Sequence, residues 1–490
     1  MTSVLEDNTP KPYPIFPIEI LETIIDDVAN GAEADRRQTL KDCCLLSKDF
    51  VAVCQRHLFK KVELYPATDI KRRERLLEVL EQKPQLGHYV KEASYILPID
   101  PNTSPGLPAV HRDRNSFALN EFFPNAETLT ITHTSCRMPI LCECCMVALH
   151  LMDNFASSQS IKRVVIEGVR RNLYLGIFLL YPKIESLSLT SCWCEPWVPN
   201  ERSLAGLQTW SRNLKTLSLR DVKGFSWPLL ACLAALEDFT CGGITERHFA
   251  LGDNFHISEF DTPSRVSYWD NLRTVEVTSG VSLSLMAVNA ALQPEGKVAF
   301  PSIRKLTVNP RPRADTLNNF ELVLTFMESL EEITVAIPFF EPDLAEDLNL
   351  KTFLEVHKKT LKTASFVMIF EETLHFEAYG DKVIELLCDA LLKIRAESNV
   401  ETLSIQFFLM KEPTAGWAPN LNPWKRLMLA LLENRAVNFR RLRKVEILLN
   451  VKRPAKPVRW TRFEYWRDAL QLQRLSSQAK TYVSFFIEVD

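Results

Sequence analysis

Six cysteines come nearest to a chemical constellation: Cys136, Cys142, Cys144, Cys145, Cys192 and Cys194. Tetrahedral zinc takes four thiolates or imidazoles at close approach, and Cys142 and Cys145 have the two-residue gap common in such sites. Their setting points the other way. Leu141 and the run Met146-Val147-Ala148-Leu149 surround them with apolar residues, and cysteine is among the residue types most often buried in its own right. The segment reads as a buried helix carrying reduced thiols, so neither a metal nor another cofactor is expected. The sequence holds no Gly-x-Ser-x-Gly, no phosphate-cradling Gly-rich loop ending in Gly-Lys-Ser/Thr, and no His-Glu-x-x-His. The nine histidines do not gather with acids at ligand or triad spacing. No residue takes a catalytic role, and the expectation is a protein that is not an enzyme.

A second stretch carries charge. From Arg440 to Arg474 there are 11 Lys or Arg against Glu446, Glu464 and Asp468, with Trp460, Phe463, Tyr465 and Trp466 interleaved. Such a mixture can hold phosphates and stack bases. It can equally hold an acidic or phosphorylated peptide through arginine forks, or be a solvated basic helix with its aromatics in the core. Affinity usually concentrates in a few Arg, Trp and Tyr residues. The candidate target contacts are therefore Lys444, Arg459, Trp460 and Arg462, facing an acidic or phosphorylated segment of a target protein of unknown identity. Nucleic acid ranks behind, because the net charge of the chain is −3 and gives no global pull toward polyanions.

The elements that must position these residues follow one pattern, apolar-x-x-apolar-x-apolar. It begins at Phe59-Lys-Lys-Val62-Glu-Leu64 and recurs at Val90, Ala126, Ile161, Ile184, Leu214, Leu236, Leu272, Ile303, Leu330, Leu361, Val400 and Leu442, with a weaker copy around Val483. The spacing of its central residue runs from 22 (Leu217 to Phe239) to 42 (Leu403 to Val445). Repeats of roughly 20–45 residues, each with a short strand, stack because none can bury its apolar face alone. Helical periodicity precedes several strands, over Lys71–Gln82, Asn319–Met327, Lys382–Ala396, Trp424–Arg435 and Arg462–Ser476. The paired apolar residues of each copy point to the core. Between them stand Ser94, Thr130, Ser188, Ser218, Thr240, Thr307, Thr334, Ser365, Ser404 and Ser484. These predict a hydroxyl-rich floor, flanked by Arg163, Arg220, Lys305 and Lys444. The copies resemble irregular leucine-rich repeats. Leu187-Ser-Leu189-Thr-Ser-Cys192 comes closest, and the resemblance gives Cys192 the role of satisfying the turn.

Ahead of the repeats lies Phe16-Pro17-Ile18-Glu19-Ile20-Leu21 with Ile24, followed by Cys44-Leu45-Leu46-Ser47-Lys48-Asp49-Phe50 and Gln55-Arg56-His57-Leu58-Phe59. Pro17 suits a first helical position. Ile18, Leu21, Ile25 and Val28 make one stripe that Ile20 and Ile24 widen. This stretch resembles the F-box in its fungal F-box-like form, with Phe16 in place of the usual Leu, and Phe50 and Cys54 where Trp is common. The resemblance implies docking to the Skp adaptor of SCF ubiquitin ligases and, through it, to a cullin. The candidate adaptor contacts are Phe16, Pro17, Ile20, Leu21, Ile24 and Leu46. The alternative is a helical cap on the repeats that binds no adaptor.

Together these predict an α/β chain: a disordered lead over 1–13, an F-box-like helical bundle over 14–58, and an irregular leucine-rich-repeat-like strand–helix solenoid over 59–490. The implied function is a substrate-recognition subunit of an SCF-type ligase, with a repeat scaffold and a nucleic-acid binder as the other classes. Twelve scattered cysteines and a polar start predict the cytosol or nucleus. No apolar run approaches the ~20 residues of a membrane span, so no membrane partner is expected.

Overall fold

The computed structural model describes residues 17–31, 33–46, 48–64, 70–97, 119–133, 143–156, 158–170, 173–181, 183–195, 212–225, 233–242, 269–277, 286, 300–308, 323–324, 327–339, 354–370, 373–394, 398–409, 421–432, 439–451 and 482–489. The chain divides into two units, Met1–Arg171 with Leu180–Ile184, and Asn172–Leu179 with Glu185–Asp490. The first unit holds three N-terminal helices and the first four strands.

The first unit opens with α1 (Ile18–Ala29), α2 (Glu33–Leu46) and α3 (Lys48–Leu58). Pro17 lies one residue outside α1, in an extended conformation, and its carbonyl accepts from the Ile20 and Leu21 N–H groups. It therefore caps the helix rather than opening it, and its missing N–H costs nothing there either. Ile25, Leu40, Val53 and Cys54 form the buried centre of the three helices, with Val28, Cys43, Cys44, Phe50 and Leu58 packed around it. At the rim, His57 of α3 lies 2.7 Å from Asp26 of α1, and Arg56 lies 3.4 Å from Glu22.

The unit continues through β1 (Lys61–Leu64), α4 (Ile70–Gln82), β2 (Glu92–Leu97), β3 (Thr128–His133), α5 (Glu143–Ala156) and β4 (Arg163–Glu167). The strands pair in parallel as β1-β2-β3-β4. The apolar segment around Cys145 lies on a helix, as its composition predicts. Ala148, Leu151, Met152 and Phe155 of α5 are buried, and the Phe155 ring meets Tyr95 of β2 edge-on at 5.9 Å. Cys136 and Cys142 lie outside the described residues, as do the side chains of Cys144 and Cys145.

The second unit holds a short pair, β5 (Leu173–Tyr174) with β7 (Cys194–Glu195), and a longer series. The series is β6 (Ser186–Thr190), β8 (Thr216–Arg220), β9 (Asp238–Gly242), β10 (Thr274–Val277), β11 (Lys305–Val308), β12 (Glu332–Phe339), β13 (Thr363–Phe370), β14 (Thr402–Leu409), β15 (Lys444–Val451) and β16 (Tyr482–Val489). All ten pair in parallel in that order. Two helices join it: α6 (Thr373–Ile394), which starts nine residues before its predicted beginning, and α7 (Leu421–Leu432).

Every copy of the apolar motif is a strand, and pairing keeps the copies in phase. Leu187, Leu217, Phe239 and Val275 are successive partners, and all are buried. The residue after the first apolar position of a copy accepts two N–H groups from the next copy. The Lys91 carbonyl takes Glu127 and Thr128, and the Glu331 carbonyl takes Lys362 and Thr363. Aromatic rings carry the packing in the second unit: Trp269 stacks on Phe300 at 5.7 Å and tilts against Phe239, and Trp424 of α7 meets Phe407 at 5.1 Å.

Two details close the turns. Asn125, Asn271 and Asn399, each directly before its motif, donate through the side chain to a backbone carbonyl of the preceding copy. After β6, Ser191 takes a positive φ of 53°. The buried Cys192 thiol then donates to the Thr190 carbonyl at 3.3 Å, the turn-satisfying role expected of it.

Candidate protein-docking site

The first candidate is the exposed flank of the three N-terminal helices. Ile20 and Ile24 are spaced i, i+4 on one side of α1, and Pro17 lies just ahead of it. Pro17 is exposed, and Ile20 and Ile24 are each 47% exposed. At the C-terminal end of α2, Leu45 and Leu46 reach 85% and 74%. No other large apolar side chain among the described residues is as exposed as these two leucines. Leu21, expected among the contacts, is instead buried. It falls on the neighbouring stripe with Ile25 and Val28, which faces the helical core, so its expected contact role is corrected to packing. Phe16 lies outside the described residues. Pro17, Ile20, Ile24 and Leu46 are the predicted contacts that stand open, and Leu45 joins them though it was not singled out.

Behind this flank lie three thiols. Cys54 is fully buried beside the half-buried Cys43 and Cys44. Burial, reinforced by the neighbouring Cys44 and Cys43, pushes the Cys54 thiol up to about 12. It stays protonated and weakly nucleophilic at neutral pH.

The second candidate is the face of the second unit's sheet opposite the buried pairs. Ser188, Ser218, Thr240, Glu276, Thr307, Thr334, Ser365, Ser404, Glu446 and Ser484 are successive partners in one row. The predicted hydroxyl row therefore exists, with Glu276 and Glu446 set into it. It is not open throughout: Ser404 is buried and accepts from the Gln406 side chain at 3.2 Å. In the first unit, Ser94 is buried beside Thr130.

Lys444 stands next to this row, with its ammonium 2.7 Å from the Glu446 carboxylate. The cation expected to meet an acidic target is thus already paired within its own strand. Lys305 is likewise 3.3 Å from Glu332. Arg459, Trp460 and Arg462 lie outside the described residues.

A further row escaped the sequence reading. β12 to β16 are eight residues long, against four or five in β6 and β8 to β11. The added length sets Val367, Gln406 and Leu448 in one row and Ile369 and Phe408 in the next. All five are half-buried on the open face. The run Ser365-Phe-Val-Met-Ile-Phe370 is apolar on both faces, so alternation could not mark where the strand ends or which residues face outward.

No family model matches the chain, and no curated protein matches it. Among solved structures, a leucine-rich-repeat protein of Leptospira interrogans matches with 10% identity and a TM-score of 0.24, over 83% of this chain and 98% of that one. No helix among the described residues is long and apolar enough to cross a membrane.

Proposed function

We propose that the chain is a non-catalytic recruitment subunit of a ubiquitin ligase. In this reading the helices α1–α3 dock a Skp-type adaptor, and through it a cullin ligase, while the repeat strands and their insertions hold a target protein. The observation that carries it is the exposure of Ile20 and Ile24 on α1 and of Leu45 and Leu46 on α2, in a stretch whose sequence resembles an F-box. Apolar surface left in water forgoes about 25 cal/mol per Å², and exposed apolar clusters mark interaction sites more often than chance. The subunit performs no chemistry. It raises the local concentration of target lysines at the partner enzyme, an effect of proximity.

The test is the full-length chain with Ile24→Glu and Leu46→Glu, scored for co-purification with a Skp-type adaptor. Both positions are exposed, so the fold should be retained while adaptor capture is lost. Undiminished capture by the folded double variant would overturn the docking surface. A wild-type chain that captures no adaptor would leave a repeat scaffold with no ligase role.

A further inference from the structure

On the open face of the second unit's sheet, the described strands carry three cations: Arg220 on β8, Lys305 on β11 and Lys444 on β15. Two are already paired, Lys305 with Glu332 and Lys444 with Glu446. Arg220 is exposed, and among the described residues no carboxylate pairs with it. Asp221 follows it at a positive φ of 52° without forming an ion pair. Asp238 on β9 sits four residues short of Arg220's level, about 13 Å by strand rise, and Glu276 lies two strands away, about 10 Å by strand spacing.

The neighbours of Arg220 on this face are hydroxyls. Thr190 of β6 is its pairing partner on one side, and Gly242 of β9, on the other, has no side chain. One step along the same face, Ser188, Ser218 and Thr240 stand side by side. All four hydroxyl residues are half-buried, and among the described residues none of their hydroxyls is taken by a hydrogen bond. Leu189, Leu219 and Cys241, between the two rows, are buried and fix which side faces outward.

We propose that Arg220, with Thr190, Ser218 and Thr240, binds the phosphate of a phosphorylated serine or threonine in the target protein. This rests on the reading that the repeat strands hold a target. A guanidinium fork meets two oxygens of an anion at once. A carboxylate has no third oxygen, whereas a phosphate keeps one for the hydroxyls beside the fork, and its charge approaches −2 at neutral pH. A single fork with Asp238 and Glu276 on its flanks suits one isolated phosphate. The repeating charge of a nucleic acid calls for a row of cations.

The test is fluorescence anisotropy with the purified full-length chain and no adaptor. The probes are labelled peptide pools with randomised flanks around a fixed phosphoserine, aspartate or serine, and a labelled single-stranded oligonucleotide. The wild type is expected to bind the phosphoserine pool more tightly than any other probe. Arg220→Ala is expected to weaken that binding roughly tenfold or more, the usual scale for a hydrogen bond to a charged group, and Arg220→Lys less, because it keeps the charge without the fork. Equal binding of the aspartate pool, tighter binding of the oligonucleotide, no binding of any pool, or an Arg220→Ala chain that binds as wild type does would each overturn the proposal. Should a variant lose its far-ultraviolet dichroism, modification of the wild type by phenylglyoxal decides. The phosphoserine pool slows reaction at Arg220 if the proposal holds, and an unchanged rate overturns it. Because no adaptor is present, failure of adaptor docking would leave these results as they are, so the two readings fail separately.

Discussion

Gly168 follows β4 with φ at +77°, and a Cβ there would collide with the His133 carbonyl of the neighbouring strand's end. Gly224 repeats the arrangement with φ at +72°, against the Cys194 carbonyl. A left-handed conformation costs a residue with a side chain roughly 1–2 kcal/mol, and the collision adds to it because the obstacle is backbone. Gly168→Ala is therefore predicted to lower the urea midpoint of the chain by more than that conformational cost alone. A midpoint equal to wild type would show that the turn relaxes freely. Leu21 and Ile20 make a sharper contrast, being neighbours in sequence with opposite fates. Leu21→Ala empties a buried site, and truncating a buried leucine costs roughly 2–5 kcal/mol. Ile20→Ala trims an exposed side chain and should stay within about 0.5 kcal/mol of wild type. Thermal unfolding of the two variants checks this, and equal losses would refute the inward placement of Leu21. The pattern of α1 left this point open, because Ile20 and Ile24 widen the apolar stripe that carries Leu21, and spacing alone does not say where such a stripe passes from core to surface.

Between elements, the repeat carries a charge code. The residues after the first apolar position read Lys91, Glu127, Lys162 in the first unit. In the second they read Glu185, Lys215, Glu237, Arg273, Arg304, Glu331, Lys362, Glu401 and Arg443. With Lys60 of the first copy ahead of Lys91, signs alternate except at Lys60–Lys91 and Arg273–Arg304. Ion pairs follow: Lys91–Glu127 at 2.8 Å, Lys215–Glu185 at 3.8 Å, Lys362–Glu331 at 2.7 Å and Arg443–Glu401 at 3.7 Å. Each is solvent-exposed and contributes at most about 1 kcal/mol, but an out-of-order stacking would replace attraction with repulsion along the whole row. The hydrogen bond from Lys91 holds the Glu127 carboxyl below its ordinary value, and that from Lys362 does the same for Glu331. A folded-state pKa below the unfolded one contributes stability above the unfolded pKa, and that contribution is lost as pH falls through the folded value. The chain is therefore predicted to lose stability on the acid side of about pH 4.5, and Glu127→Gln with Glu331→Gln should flatten that loss. Urea midpoints measured against pH check it, and parallel acid limbs in both proteins would refute it. The strands themselves were legible because buried pairs two apart leave a period that survives in sequence. The charge row was present but unreadable until the copies were known to be adjacent. The doubled length of β12 to β16 was hidden because those strands are apolar on both faces.

At the scale of the whole chain, the adaptor and target readings draw on different segments and should separate by mutation. The proposed adaptor face rests on the exposure of Ile20, Ile24, Leu45 and Leu46. The target face depends in part on Lys444, which is paired with Glu446 at 2.7 Å. That pair changes the expected weight of the contacts. A cation already neutralised within its strand must be released before it can hold a second acid, so Lys444→Ala should weaken target capture little. Arg459 and Trp460 come eight and nine residues after the end of β15 in the sequence, in a stretch rich in the residue types that dominate binding energy. Arg459→Ala with Trp460→Ala is predicted to cost on the order of 1–3 kcal/mol in target binding, a roughly 5- to 150-fold loss, with adaptor capture intact. Ile24→Glu with Leu46→Glu should give the reverse. Both binding reactions are to be measured on each full-length variant, with the target taken from proteins that co-purify with wild type. Joint loss in either variant would mean that the two readings share one surface. Full target capture by the Arg459 and Trp460 variant would move recognition to the two half-buried rows that hold Val367 and Leu448, and Ile369 and Phe408, where a charge placed at Phe408 would then be the decisive substitution.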